Sequence, residues 1–313
     1  MSRPPRSSRI PTRQGVSPSC VALPQPPAGT VPWPAVLDFL CERLPKLDRH
    51  QWKLRMAQGD VVDEAGQPVP PQAPYRGGSR LYYWREVDEE PRVPFEARVL
   101  FQDGHLLVAD KPHFLPVTPG GRFVQQTLLV RLKQATGIEG LSPVHRIDRE
   151  TAGLVVFSVR PEDRGAYQAL FRERQVHKLY EAIAPAPTTW PAPIKRRSCI
   201  EEDPLAFYRM VETDGEPNSE TTIHLVEQQG GWGRFRLEPV TGKRHQLRVH
   251  MNALGLPIEG DQFYPSVRRR PEEPEDYAHP LKLLAQALAF RDPVTGVHRR
   301  FETGRGLDWP GPV

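Results

Sequence analysis

Beyond about residue 98 the sequence is a succession of short strand-type segments with few helices between them, and this pattern constrains the fold most strongly. Five segments have strand character, from apolar runs or from period-two alternation: residues 105–110, 153–158, 180–184, 221–226 and 234–238. Two segments, residues 161–175 and 244–254, have the apolar spacing of helices. Because strands and helices do not alternate regularly, an α+β domain is predicted rather than a doubly wound one.

The N-terminal third divides into segments of different composition. Residues 1–30 hold many prolines and serines and few large apolar side chains, so a disordered tail is expected. Residues 31–88 predict a small α+β module, and the charged, proline-interrupted residues 89–97 predict a linker. Within the module, two helices and two short strands are predicted: residues 36–44, 48–58, 61–63 and 80–84. Residues 98–313 form the main domain in this division.

Cysteine content and hydropathy indicate the compartment and exclude several classes of protein. The three cysteines, Cys20, Cys41 and Cys199, are odd in number and lack metal-ligand spacing. We therefore expect no disulfide framework, no metal and a reducing, cytoplasmic environment. No stretch approaches the roughly 18 consecutive apolar residues of a membrane span, so no membrane partner is expected.

Basic residues are clustered, although the net charge of the chain is only +4. The clusters lie at residues 49–55, 195–197, 243–245 and 268–270. Several such patches in one chain are typical of a surface that follows nucleic-acid phosphates. For any single patch, solvated loop charge is an equally good interpretation.

Asp148 is the first candidate for chemistry. It lies between Arg146 and Arg149, with His145 close by and an apolar strand directly downstream. Neighbouring positive charge favours an ionised carboxylate, which suits a nucleophile or an electrostatic stabiliser better than a general acid. A structural Asp–Arg cluster that closes a loop onto the sheet would give the same local pattern.

The segment around Asp148 resembles the signature of a known enzyme family. Residues 145–154 are His-Arg-Ile-Asp-Arg-Glu-Thr-Ala-Gly-Leu, similar to His-Arg-Leu-Asp-Arg-Glu-Thr-Ser-Gly-Leu of RluA-type pseudouridine synthases. Ile147 and Ala152 are the two departures. The first conserves apolar character, whereas the second removes one hydroxyl.

Further motifs of this family follow in the same order over residues 98–300. They lie at residues 110–117, 177–180, 241–250, 255–264 and 281–286. Lys243 replaces the family's usual arginine, which keeps the charge but loses bidentate geometry. Gln286 also departs from the family pattern.

The resemblance implies a fold, a reaction and three catalytic residues. The main domain would be a catalytic domain built on a mixed, mostly antiparallel sheet. It would flip a uridine out of RNA, break its glycosidic bond and re-attach the base through carbon, without a cofactor. Asp148 would act on the ribose or the ring, by attack at the anomeric carbon, Michael addition or elimination through a glycal. Tyr180 would pack on the uracil and could serve as a base, and Arg248 would form the ion pair with Asp148.

The same resemblance suggests which residues contact RNA. In the catalytic domain these candidates are basic or polar side chains of the matching motifs: Lys111, His145, Arg146, Arg149, Lys178, Lys243, Arg244, His245 and Gln246. The N-terminal module resembles the small RNA-binding alpha-L motif of a ribosomal small-subunit protein. Its second helix supplies three further candidates, Arg49, Lys53 and Arg55.

Several alternatives stay open at the level of sequence. Family members with such a module point to ribosomal RNA as the substrate, with tRNA as the alternative, and a monomer is expected. A non-catalytic RNA-binding protein on this fold would explain the basic patches but not the matching Asp, Tyr and Arg. A hydrolase with Asp148 and Glu150 as paired carboxylates would require an extended segment and one raised pKa.

Overall fold

The computed structural model describes residues 10–27, 29–30, 32–85, 89–190, 193–270 and 273–311. The chain divides into two compact units. The first consists of Met1–Glu90 with Gly121–Gln125, and the second of Pro91–Gly120 with Gln126–Val313. Among the described residues, no helix combines the length and the apolar character needed to cross a membrane.

The first unit contains two helices and a three-stranded antiparallel sheet. In chain order its elements are β1 (Ser19–Ala22), α1 (Val36–Arg43), α2 (Arg49–Ala57), β2 (Val61–Val62) and β3 (Arg80–Tyr83). Strand β3 lies in the centre of the sheet, between β1 and β2. The helices and the β2–β3 pair lie where the sequence predicts them.

Helix α2 begins at a capping box. The Asp48 carboxylate accepts a hydrogen bond from the Gln51 N–H, and the Gln51 side chain accepts one from the Asp48 N–H. The apolar face of α2, Trp52 and Met56, packs with Leu40 of α1 in the core of the unit. This burial holds the exposed basic face of α2 in place.

The expected disordered tail is corrected by the structure for part of its length. Residues 1–9 and 28 lie outside the described residues. Ser19–Ala22 instead pair antiparallel with β3, and Leu23 is buried in the core of the unit. The segment is ordered because a cross-strand partner satisfies its backbone, which its proline-rich composition does not reveal.

The second unit contains three helices and eleven strands. In chain order the elements are β4 (Arg98–Gln102), β5 (Leu106–Lys111), α3 (Leu128–Thr136), β6 (Ser142–Pro143), β7 (Ala152–Ser158), α4 (Arg164–Arg172), β8 (His177–Pro185), β9 (Ile194–Asp203), β10 (Ala206–Thr213), β11 (Ser219–Gln229), β12 (Trp232–Pro239), α5 (Gln246–Ala253), β13 (Leu283–Arg291) and β14 (His298–Glu302).

These strands form one large mixed sheet in the order β10-β9-β11-β12-β8-β13-β7-β5-β4, with β14 beside β13 and β6 beside β7. Every neighbouring pair is antiparallel except β13 and β7, which pair in parallel. The predicted α+β fold with a mostly antiparallel sheet is confirmed.

Two apolar layers cover the sheet of the second unit. Helix α5 packs Leu247 and Met251 against Phe235 and Leu237 of β12. Helix α4 packs Tyr167 and other apolar residues against β5 and β7. The loops that precede β7 and α5 meet around one cavity.

Candidate active site

The loop between β6 and β7 holds Asp148 at the sheet. Val144 N–H donates to Val156 O at 3.0 Å, and Val156 N–H donates to Nε2 of His145 at 3.1 Å. Thr151 N–H donates to Asp148 O at 3.2 Å, which closes a turn over residues 148–151. The Asp148 side chain keeps 21% of its surface exposed, on the wall of the cavity.

The backbone conformation and the lack of space at position 153 explain why this residue of the motif is glycine. Its φ is +110°, and a Cβ there would lie 2.2 Å from Ala285 O. Gly153 pairs with Ala285 where β7 and β13 run in parallel, so no side chain fits. Ala152, which departs from the family signature, packs with Ile183 and Leu284 in an apolar cluster. A hydroxyl would gain nothing in that cluster.

A cavity of about 390 Å³ brings most of the predicted site residues of the main domain together. Its walls contain Asp148, Tyr180, Arg248, His145, Arg146, Lys178, Lys243, His245 and Gln246. Apolar side chains complete it: Val144, Ile147, Phe171, Pro239, Leu247 and Leu283. The volume falls in the range of roughly 300–1,000 Å³ that is usual for small-molecule sites.

Arg248 is buried in α5 and is surrounded by carboxylates. Its Nε and Nη2 donate to the two oxygens of Asp261 at 2.8 and 2.7 Å. Its Nη1 lies 3.7 Å from Asp148 Oδ2 and 3.5 Å from Glu150 Oε2. The predicted ion pair of Arg248 with Asp148 is present, and Asp261, which the sequence analysis did not predict, is the bidentate partner. Burial opposes the charge of Arg248, but Asp261 and the other carboxylates raise its pKa above the ordinary value.

The third guanidinium nitrogen of Arg248, Nη1, faces the catalytic loop. Nη1 is buried, and no atom of the described residues accepts a hydrogen bond from it. The guanidinium also lies over the rings of Phe263 and Tyr264, at 5.1 and 5.5 Å from their centroids. Since the other nitrogens are fixed on Asp261, Nη1 is held between Asp148 and Glu150.

Glu150 does not form the paired-carboxylate arrangement of a hydrolase. Burial alone would raise the pKa of Glu150, but the charges of Arg149 and Arg248 lower it to about 2. Residues 148–151 form a turn rather than an extended segment. A general acid needs a raised pKa, so the hydrolase hypothesis is wrong for this pair.

Tyr180 lines the cavity from β8. Burial raises the pKa of its phenol above the ordinary value, and the Asp148 carboxylate raises it further. The side chain is therefore a neutral phenol at physiological pH. This state suits ring contact and hydrogen bonding rather than the base role that the family resemblance also allowed.

Two histidines of the cavity are uncharged. Burial, with a smaller contribution from Lys178, lowers the pKa of His145 to about 3. Its ring stacks on Phe171 at 4.3 Å. Burial lowers the pKa of His245 to about 4, and its ring stacks on Phe263 at 5.8 Å. Neither histidine therefore supplies a positive charge for phosphate.

The structure corrects three of the predicted RNA contacts. Lys111 is fully buried, and its Nζ donates to Pro112 O and Arg149 O, each at 3.0 Å. Arg149 is held by Glu150 and Glu275. Gln246 is 3% exposed. These side chains support the loops of the site, because their polar atoms are already bonded inside the protein.

Arg146, Lys178, Lys243 and Arg244 are more accessible. Arg146 and Lys243 are exposed at the cavity. Lys178 is half-buried, and its Nζ donates to Thr241 O at 2.7 Å. Arg244 lies outside the cavity and donates to the carbonyls of Phe207 and Arg209 on β10.

The three basic candidates of the first unit lie on α2. Arg49 pairs with Asp38 at 2.7 Å, and Arg55 donates to Trp84 O at 3.0 Å. Lys53 is exposed on the same helix.

The sequence reasoning missed the residues that anchor the charged network. Asp261 lies inside the matching motif at residues 255–264, and a buried arginine requires an acid nearby. That requirement could have identified Asp261 from the sequence as a partner of Arg248. Glu275, which pairs with Arg149 and with Arg269 at 2.7 Å, has no signal in the sequence. Among the described residues, no group of three or more His, Cys, Asp or Glu side chains could hold a metal ion.

Comparisons with known proteins agree with this site. The family model described as RNA pseudouridylate synthase matches residues 105–253. An RNA pseudouridine synthase of Synechocystis sp. is 34% identical over 233 residues, which cover 73% of this chain and 79% of that protein. The dual-specificity RNA pseudouridine synthase RluA of Escherichia coli K12 is 32% identical over 218 residues, covering 65% of this chain and 91% of that protein.

Solved structures show the same fold. Human RNA pseudouridylate synthase domain containing 4 superposes with a TM-score of 0.52 at 26% identity, over 67% of this chain and 88% of that chain. Human RNA pseudouridylate synthase domain containing 1 superposes with a TM-score of 0.55 at 24% identity, over 69% of this chain and 86% of that chain.

Proposed function

This chain belongs to the RluA-type RNA pseudouridine synthases, which isomerise uridine in RNA to pseudouridine, and on that premise we propose that Asp148 performs the reaction on ribosomal RNA. The single observation that supports the role of Asp148 is its place in the cavity. Asp148 lines the same cavity as Tyr180, and Nη1 of Arg248 lies 3.7 Å from its carboxylate.

The proposed chemistry needs an ionised carboxylate beside a flipped nucleoside. Uridine must lose its nitrogen-to-ribose bond, rotate while detached and rejoin through carbon. Attack at the anomeric carbon, addition to the ring and elimination through a glycal all use a carboxylate as nucleophile or base. Asp148 is partly exposed to the cavity, whereas Asp261 and Glu150 are buried in ion pairs. Asp148 is thus the carboxylate that a substrate can reach.

Arg248 positions this carboxylate in the proposed mechanism. Because Asp261 fixes two nitrogens of Arg248, the third keeps its direction toward the catalytic loop. A fixed guanidinium there holds the Asp148 carboxylate in place before the substrate arrives and requires little rearrangement during the reaction.

Tyr180 contacts the uracil ring in this proposal. It projects from β8, where Tyr180 pairs with Leu237 of β12 and Ala285 of β13 in the middle of the sheet. A strand paired on both sides holds the ring firmly. Stacking on an aromatic side chain offsets part of the few kcal/mol that unstacking the target base costs.

Ribosomal RNA is the proposed substrate, with tRNA as the alternative. The first unit supports this choice, because it has the two helices and small sheet of the RNA-binding module that its sequence resembles. Exposed basic side chains on α2 are available to phosphates. We also propose that the enzyme acts as a monomer in the cytoplasm, where its three free cysteines would stay reduced.

Pseudouridine mapping tests the proposed substrate. The purified protein is incubated with unmodified ribosomal RNA and, separately, with unmodified tRNA. New pseudouridines are then located by chemical labelling and primer extension. We expect modification at discrete sites in ribosomal RNA. Modification of tRNA alone would contradict the choice of substrate, and modification of neither RNA would contradict both.

A further inference from the structure

A second cavity of about 350 Å³ lies beside the first and shares Lys178 and Pro239 with it. It is formed by the segment after α4 and by the adjoining ends of three strands. Its lining residues are Arg174, Gln175, Val176, His177, Lys178, Thr222, Glu238, Pro239 and Val240. An RNA strand whose target base occupies the first cavity could continue into the second cavity along this shared wall.

Arg174 has a backbone conformation that normally belongs to glycine. Its φ is +59°, directly after the end of α4. Gln175 N–H donates to Leu170 O at 2.8 Å and Arg174 N–H donates to Phe171 O at 3.3 Å, the pattern that ends a helix with a left-handed residue. Helix α3 ends with Gly137 at φ +70°. The chain thus uses glycine at one such position and tolerates a strained arginine at the other.

A left-handed backbone conformation is unfavourable for residues other than glycine, and such strained residues concentrate at functional sites. Arg174 is exposed and lines the second cavity. A ligand in that cavity would give Arg174 a function in addition to its place at the helix end.

Among the described residues, Arg174 and Lys178 are cations without an acidic partner. No carboxylate oxygen of that part of the chain lies within 4.0 Å of either charged group, and Lys178 donates to the Thr241 carbonyl. Burial lowers the pKa of Lys178 to about 8, and the charge of Arg174 contributes to the same shift. The two cations repel each other, so an anion between them would be stabilising.

Glu238, the acid in this wall, is already engaged. It lies 3.7 Å from His177, 3.6 Å from His224 and 3.2 Å from Arg236. The Arg236 guanidinium offsets the charge of Glu238, which leaves Arg174 and Lys178 as cations of this wall that lack an acidic partner among the described residues.

We propose that the second cavity binds a backbone phosphate of a nucleotide that flanks the target uridine, between Arg174 and Lys178. This inference rests on the proposed function, because it assumes that RNA places its target base in the first cavity. A phosphate can accept two parallel hydrogen bonds from a guanidinium and a third from an ammonium group. The contact would fix the register of the strand while the base is flipped.

The Arg174→Gly variant tests this subsite without harming the fold. Glycine removes the guanidinium and also relieves the left-handed strain, so the Tm should stay the same or rise. We expect the Kd for substrate RNA to rise roughly three- to tenfold and the salt slope of log Kd to fall by about one. Asparagine also tolerates the left-handed backbone conformation, so the Arg174→Asn variant should show the same rise in Kd. The Arg174→Lys variant keeps a positive charge and should retain part of the affinity.

Arg300→Asn is the matched control, because Arg300 is an exposed arginine on β14 that lines neither cavity. It removes the same charge and should leave the Kd unchanged. A wild-type Kd and salt slope in Arg174→Gly would overturn the phosphate subsite, as would an equal loss in Arg300→Asn. Binding is measured apart from turnover. A wild-type protein that binds RNA through Arg174 but makes no pseudouridine would therefore contradict the proposed function alone.

Discussion

At the scale of single residues, one arginine organises the charges of the site. Arg248 forms a bidentate pair with Asp261 and directs its remaining nitrogen toward Asp148 and Glu150. A buried charge without a partner is costly, so the arginine is stable there only because carboxylates surround it. Among these carboxylates, the buried Asp261 and Glu150 contribute most to the charge balance around Arg248, and the partly exposed Asp148 contributes least.

Replacing Asp261 with Asn should destabilise the protein and slow catalysis. The variant leaves Arg248 buried without its bidentate partner, which costs about 3 to 5 kcal/mol in comparable cases. Urea unfolding measures the free energy, and pseudouridine formation measures the activity. Asp276→Asn, at an exposed carboxylate, should leave both unchanged. An Asp261→Asn protein as stable as the wild type would show that the pair does not support Arg248.

Residue chemistry was predicted from sequence only where a motif defines it. The motifs predicted that Asp148, Tyr180 and Arg248 come together, and one cavity contains all three. They did not predict that Lys111 and Arg149 are sequestered. Basic side chains in a motif suggest phosphate contacts, but whether their polar atoms already have partners depends on segments distant in sequence, such as the one that carries Glu275.

At the scale of elements, the parallel contact between β7 and β13 positions the catalytic loop. Strand β7 begins directly after that loop, and Gly153 lies against the backbone of Ala285. This close approach fixes where the loop leaves the sheet. It also brings β8, with Tyr180, next to β13 on the other side.

Gly153→Ala should disrupt this contact. The added Cβ would meet Ala285 O at 2.2 Å, and the residue would keep a strained φ of +110°. We expect a loss of at least about 2 kcal/mol in the free energy of unfolding, together with lower activity. Gly165→Ala, inside α4 with open space around it, should instead be neutral or stabilising by up to about 1 kcal/mol. Equal stabilities of the two variants would contradict this account.

Strands with an apolar run or with regular alternation were predictable, whereas charged strands were not. The sequence predicted β5 and β7 from short apolar runs, and β8, β11 and β12 from period-two alternation. It interpreted residues 195–197 as a basic patch, although they belong to β9. There, Arg196 pairs with Glu212 of β10, and Arg197 lies 3.3 Å from Glu220 of β11. Cross-strand ion pairs neutralise the patch, and a single segment cannot show its partners.

At the scale of the whole molecule, the chain consists of two compact units with separate cores. The sequence predicted a small module before a larger domain. It did not predict that β1 completes the sheet of the module or that Gly121–Gln125 belong with the first unit. Contacts between segments distant in sequence determine both features, and composition gives no access to them.

Lys53→Glu tests whether the first unit contributes to RNA binding. Lys53 is exposed on α2, so the substitution reverses a charge without altering the core. We expect weaker binding to ribosomal RNA and a salt slope reduced by about one or more. Arg300→Glu on β14 provides the same change of charge in the second unit and should have little effect. If Lys53→Glu binds ribosomal RNA as tightly as the wild type at every salt concentration, this face of α2 does not contact the substrate.

The most direct test of the central claim is pseudouridine formation by the Asp148→Asn variant. The substitution keeps the shape of the side chain and removes its charge, and Asp148 is partly exposed, so the fold should persist. The account predicts that modification falls to background while the Kd for RNA stays within about twofold of the wild type. Modification at the wild-type rate by Asp148→Asn would show that this carboxylate does not perform the reaction.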